Sequence, residues 1–137
     1  KTGRSRMYRI NKAHLLFPQL SALLDRERNA FRDIASEFTE RLGKTGLDNV
    51  ILFGSAARGD AANPGDIDLL IISSDPAMKG RVDLLARDFL EKYDVLISPI
   101  LMAKDMVKEK LSGFDEFMLR VIDEGTILYG DATWLKT

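Results

Sequence analysis

Two short stretches of the 137-residue chain combine residue types that can do chemistry. The first is Gly54-Ser55, delivered by the apolar run Asn49-Val50-Ile51-Leu52-Phe53 and followed by Ala56-Ala57-Arg58-Gly59-Asp60. A strand that turns into a helix at such a pair brings together free backbone N–H groups, a hydroxyl and the positive end of a helix dipole. That setting suits an anion, most naturally a phosphate. Gly54 has no Cβ to hold a phosphate oxygen away from the backbone, and Ser55 can both cap the helix and donate to that oxygen. Taken alone, a Gly-Ser turn is a common helix start. The second stretch is Asp66-Ile67-Asp68, which runs into Leu69-Leu70-Ile71-Ile72. Residues two apart in a strand share a face at roughly 6.5 to 7 Å, so the two carboxylates point one way and Ile67 points into the core. Asp is a poor strand residue and like charges repel at this range. A divalent cation offsets that repulsion, and oxygen-only ligands select Mg²⁺ or Mn²⁺ over zinc. The competing structural explanation is a solvated strand mouth with turn-capping acids.

Composition leaves this chemistry standing and removes others. There is no Cys, which excludes thiolate metal sites, cysteine nucleophiles and disulfide scaffolds, and the single His14 disfavours a Ser-His-Asp triad. Apolar residues make up 45% and charged residues 30%, the balance of one globular domain with a real core. Twenty Lys and Arg stand against 21 Asp and Glu, so the chain is not a generally basic nucleic-acid coat. The charge is unevenly spread: Lys1, Arg4, Arg6, Arg9 and Lys12 precede His14 with no acid among them.

The elements that must position the two stretches follow from periodicity. Pro18 opens a helix in which Leu20, Leu24, Phe31, Ile34, Phe38 and Leu42 recur at helical spacing up to Gly43, as a core-covering stripe. Strands are expected at 49–53, 66–72 and 94–101, with a last edge strand at 126–129. Helices are expected over 82–93, 103–111 and 114–123, and Asn63-Pro64-Gly65 marks a turn. Strands alternating with helices give a layered α/β (α+β) domain.

Gly54-Ser55, ten intervening residues and then Asp66-Ile67-Asp68, with Ala57-Arg58-Gly59 after the serine, resembles the signature of the DNA polymerase β-like nucleotidyltransferases. It is most similar to the small stand-alone members called minimal nucleotidyltransferases, down to the ending EFMLRVIDEGTILYG. The resemblance implies a mixed sheet flanked by helices, and a nucleoside triphosphate lying over Gly54 and Ser55, with Mg²⁺ or Mn²⁺ bridging it to Asp66 and Asp68. An acceptor hydroxyl would then attack the α-phosphorus and pyrophosphate would leave. It also implies a third carboxylate from the neighbouring strand, for which Asp94 is the candidate. Arg58 would contact the triphosphate or brace the loop through Asp60.

The first residues, KTGRSRMYRINKAHLLFPQL, resemble the end of a winged-helix DNA-binding domain, so residues 1–17 are expected as a basic arm and 18–137 as the transferase domain. DNA contact would then belong to a module upstream of Lys1. Three roles are implied: nucleotidyl transfer to a hydroxyl acceptor such as a protein, an antitoxin partner of a HEPN-domain toxin, or a nucleotide-sensing transcriptional regulator. With no bilayer-length apolar run and no secretion signal, a cytoplasmic protein is the expectation.

Overall fold

The computed structural model describes residues 17–58 and 66–136, for residues 17–25, 27, 28, 58 and 136 by their backbone alone. The basic arm, Asp60 and the turn at Asn63-Pro64-Gly65 lie outside the described residues. Helix α1 (Phe17–Leu42) leads into strand β1 (Leu47–Phe53), the one-turn helix α2 (Gly54–Arg58) and strand β2 (Asp66–Ser73). Helix α3 (Met78–Tyr93), strand β3 (Leu96–Met102), helices α4 (Lys104–Ser112) and α5 (Glu116–Glu124), strand β4 (Thr126–Tyr129) and a 3₁₀ turn (Thr133–Lys136) follow. The sheet order is β3-β2-β1-β4. β1 is antiparallel to both of its neighbours, and β2 and β3 are parallel, joined through α3 as a parallel pair requires. This is the expected α+β architecture with a mixed sheet flanked by helices.

Alternation along the strands builds two cores. Val50, Leu52, Ile67, Leu69, Ile71 and Ile97 turn to one face, where Phe38 and Leu42 of α1 and Met78 and Phe89 of α3 meet them. Ile51, Leu70 and Ile72 turn to the other, against Val107 of α4, Met118 and Val121 of α5, and Leu135. Burial on both faces explains why β2 reads as an unbroken apolar run after its two acids. Each fully buried Ile, Leu or Phe contributes about 1.5 to 3 kcal/mol. The α1 stripe at Phe31, Ile34, Phe38 and Leu42 is a core-covering face, as its spacing predicts.

Polar ties hold the helices in place. Phe38 and Phe89 pack edge to face at 5.2 Å, and Arg41 of α1 pairs with Asp88 of α3 at 2.9 Å. The Tyr93 hydroxyl donates to the Glu37 carboxylate, lying 2.7 Å from each oxygen. That bond, outweighing desolvation and backed by Lys92 and Arg41, holds the Glu37 carboxyl below the usual range. Asn49 is a buried polar hub on β1. Its amide donates to the carbonyls of Tyr129 and Asp131, and its oxygen accepts from the Trp134 indole, fastening the C-terminal segment to the sheet.

Several boundaries depart from the sequence expectation: β1 begins at Leu47 rather than Asn49, α5 at Glu116 rather than Phe114, and two further shifts have a physical reason. α3 begins at Met78 rather than Val82, because Met78 is completely buried and ties the extra turn to the core, while Ala77 supplies no side-chain cap to mark the start. β3 begins at Leu96, not Asp94. β3 is also an edge strand, and it carries Pro99 at its centre. Proline lacks the N–H that a central strand needs, so an edge is its natural place.

Candidate nucleotide and cation site

The antiparallel register between β1 and β2 sets Phe53 opposite Asp68, so the turn that follows Phe53 lies beside that carboxylate. Gly54 takes up φ +74°, a left-handed conformation that favours glycine, and α2 starts there. A Cβ built on Gly54 would run into the Asp68 carboxylate and stand 3.4 Å from its Cβ. Glycine is therefore required twice over: for the backbone angle and for the space the carboxylate occupies. Ser55 follows in the first turn of α2, half-buried, with Ala56 and Ala57 packed beneath it in the core.

β2 places Asp66 and Asp68 on one face and the fully buried Ile67 on the other. Both acids are half-buried. Further along that face Leu70 and Ile72 are sealed under α4 and α5, while Leu96, the β3 partner of Asp66, is 47% exposed. On β2 the helical cover therefore ends between Leu70 and Asp68, and the acids stand where that strand's face opens.

The remaining candidates fall differently. Asp94 is the C-cap of α3 in a left-handed conformation (φ 54°, ψ 37°), and its N–H donates to the Leu90 carbonyl at 2.9 Å. It is exposed and lies outside the β3 ladder, which corrects the expectation that it opens the strand. Asp tolerates the left-handed region better than most side chains, and that local preference places it at the helix end. Among the described residues no group of three His, Cys, Asp or Glu side chains is gathered closely enough to share an ion, so Asp94 is not brought together with Asp66 and Asp68. Arg58 closes α2, and its side chain lies outside the described residues.

A divalent cation fits the residues that do converge. Asp66 and Asp68 offer only carboxylate oxygens, the donor set of a hard cation, and Gly54 leaves the Asp68 carboxylate room at the turn where an anion would lie. Next to Gly54 a cavity of about 160 Å³ is lined by Phe53, Gly54, Phe117, Arg120, Val121 and Glu124. Phe53 and Phe117 pack edge to face in its wall at 5.6 Å. A larger hollow of about 550 Å³ lies on the α1 and α3 side, away from the acids, where Arg41 and Arg81 are engaged in ion pairs. Sequence reasoning passed over Ser98, which β3 sets opposite Asp68. The signal was there in a lone hydroxyl inside the apolar run Leu96-Ile97-Ser98-Pro99-Ile100.

Comparison with known proteins agrees with this fold. The family model for the nucleotidyltransferase domain matches residues 32–120. Two Methanocaldococcus jannaschii proteins, each named as a putative protein adenylyltransferase, are similar to this chain. The first is 40% identical over 90 residues, covering 61% of this chain and 88% of the relative. The second is 36% identical over 83 residues, covering 61% and 79%. The crystal structure of a putative nucleotidyltransferase from Sulfolobus solfataricus shares the fold with a TM-score of 0.52 at 16% identity, covering 80% of this chain and 89% of that one. A toxin-antitoxin structure with AMP-PNP does so with a TM-score of 0.50 at 19% identity, covering 70% and 73%. No helix among the described residues is long and apolar enough to cross a membrane. With the Gly-Ser turn seated against a paired-acid strand mouth in this fold, the chain belongs to the nucleotidyltransferase domain family, among its minimal members.

Proposed function

We propose that this chain transfers a nucleoside monophosphate, AMP in the first instance, from its triphosphate to a hydroxyl of an acceptor protein. The observation that carries this is the seating of the Gly54 turn against Asp68, which brings a glycine-led helix start beside two carboxylates. Asp66 and Asp68 would hold Mg²⁺ or Mn²⁺, which when bound neutralises phosphate charge and draws the leaving oxygens. Gly54 and Ser55 would receive the phosphates, and Arg58 at the end of α2 is the side chain proposed to meet them. The acceptor oxygen forms a bond to the α-phosphorus, the bond from that phosphorus to the bridging oxygen breaks, and pyrophosphate leaves. The hydroxyl proton passes to solvent, which the uncovered face admits. Catalysis of this kind is mainly positioning and charge neutralisation, and it needs neither Cys nor His.

A protein acceptor is supported by the names of the two archaeal relatives. A HEPN-domain toxin is the partner to try first, since the family resemblance implies one and a fold neighbour is a toxin-antitoxin structure holding AMP-PNP. The test is incubation with ATP labelled at the α-phosphate, Mg²⁺ and candidate acceptors, following label on protein and pyrophosphate release. Asp66→Ala and Asp68→Ala are each expected to lower transfer about a thousandfold, the order lost when a charge-stabilising group is removed. Transfer that persists in the double variant would overturn these roles. Nucleotide binding with no pyrophosphate release in the presence of any acceptor would identify a nucleotide sensor instead.

A further inference from the structure

Strand register decides which group on β3 faces the paired acids. β3 runs parallel to β2 and pairs Asp66 with Leu96 and Asp68 with Ser98. Ladder partners point to the same face, with the strands about 4.8 Å apart. Ile97 is buried on the opposite face, which fixes the direction of Ser98 toward the acids. Ser98 is half-buried at that position, and Leu96 beside Asp66 carries no ligand atom. Asp94 lies two residues before the first β3 partner, in the left-handed cap of α3 with its N–H spent on Leu90. The place on the neighbouring strand from which a third oxygen ligand would come is thus held by a hydroxyl, with the nearest upstream acid outside the ladder.

We propose that Ser98, not Asp94, is the third side chain of the site, so that the chain holds one divalent cation firmly per nucleotide and a second only weakly. This rests on Asp66 and Asp68 being the cation ligands. Two carboxylates balance the charge of one divalent ion. A second ion brought to the same face meets repulsion that a neutral serine oxygen does not offset. With no third carboxylate from β3 among the described residues to take the proton, the acceptor hydroxyl gives it to water, and nucleotide binding outpaces transfer. Ser98 is a positioning residue in this arrangement: its hydroxyl can donate to Asp68 and orient that carboxylate.

The test is a Mn²⁺ titration followed by electron paramagnetic resonance, on the full chain with α,β-methylene-ATP. One tightly held Mn²⁺ per chain is expected. Ser98→Asp is expected to add a second, bound about tenfold or more tightly than any second ion of the parent chain, since affinity follows the count of charged ligands. The same variant should accelerate transfer to a fixed acceptor. Asp94→Asn, which keeps a residue tolerant of the left-handed conformation, should leave the titration unchanged. The proposal is overturned if the parent chain already binds two Mn²⁺ equally well, or if Asp94→Asn loses Mn²⁺. A well-folded Ser98→Asp that titrates like the parent also overturns it. Should circular dichroism show Ser98→Asp unfolded, the parent stoichiometry and Asp94→Asn decide alone. Asp66→Ala and Asp68→Ala separate the two levels. If they bind Mn²⁺ like the parent, the underlying ligand assignment fails; if they lose it while the Ser98 and Asp94 expectations fail, only the present inference falls.

Discussion

At the mouth of β2 three consecutive residues sample both faces of the sheet. Ile67 is completely buried under α1 and α3, while Asp66 and Asp68 on either side of it are half-exposed. The α1 and α3 face is sealed from Val50 and Ile71 out to Ile67 and Ile97. On β2 the α4 and α5 face is sealed only as far as Leu70. One helical layer therefore carries the stability of the strand ends, and the other stops short and leaves them accessible. A pair of like charges can be kept at a strand mouth when the opposite side of the same three residues is anchored.

This contrast can be broken from either side. The largest effect is expected from the sealed face: Phe38→Ala should cost about 3 to 5 kcal/mol by chemical denaturation, the usual price of emptying a core aromatic site. Transfer per folded molecule should stay close to the parent value; a proportional loss of both would show that the faces are not separable. Gly54→Ala attacks the open face. Its Cβ meets the Asp68 carboxylate in a left-handed turn, so transfer should fall about a hundredfold, equivalent to about 2.7 kcal/mol. Retained activity in this variant would mean that the turn and the acid do not work together. Asn49→Ala should destabilise by about 1 to 3 kcal/mol, because the Trp134 indole and two carbonyls lose their partner. Slower hydrogen exchange in 126–136 would contradict this.

The smallest effect concerns pH and Glu37. Its folded carboxyl titrates below the ordinary value of 4.5, so its contribution is fully present above that value and is lost as pH falls through the lowered one. Thermal unfolding of Glu37→Gln and parent should therefore differ at neutral pH and converge in acid. A gap that widens on acidification would reverse the sign.

Much of this layout was legible in the residues. The alternation of Asp66, Ile67 and Asp68 declared which side was core, and the switch from the apolar Val50–Phe53 run to Gly54 marked the helix start. Both are local signals, fixed by the strand period and by glycine's freedom at positive φ. The β4 bounds were equally readable, bracketed by Gly125 and Gly130. What stayed hidden depends on bonding partners, one of them only four residues away and the others distant in sequence. Asp94 looks like a strand opener until Leu90 is seen to bond its N–H, and Ser98 gains meaning only from its pairing with Asp68. The 3₁₀ turn at Thr133 is stabilised by Asn49, some 85 residues away, which no window around Trp134 contains.

Pro99 has a consequence for how a polypeptide meets this site. The outer rim of β3 runs right beside the paired acids, and an unbroken rim would invite an extended segment to zip on through its main chain. A proline halfway along leaves at most three residues of rim on either side, too few for such zippering. Under the proposed function, a protein acceptor would then be recognised by its side groups and not by backbone continuation, which would leave its hydroxyl free to swing toward the nucleotide.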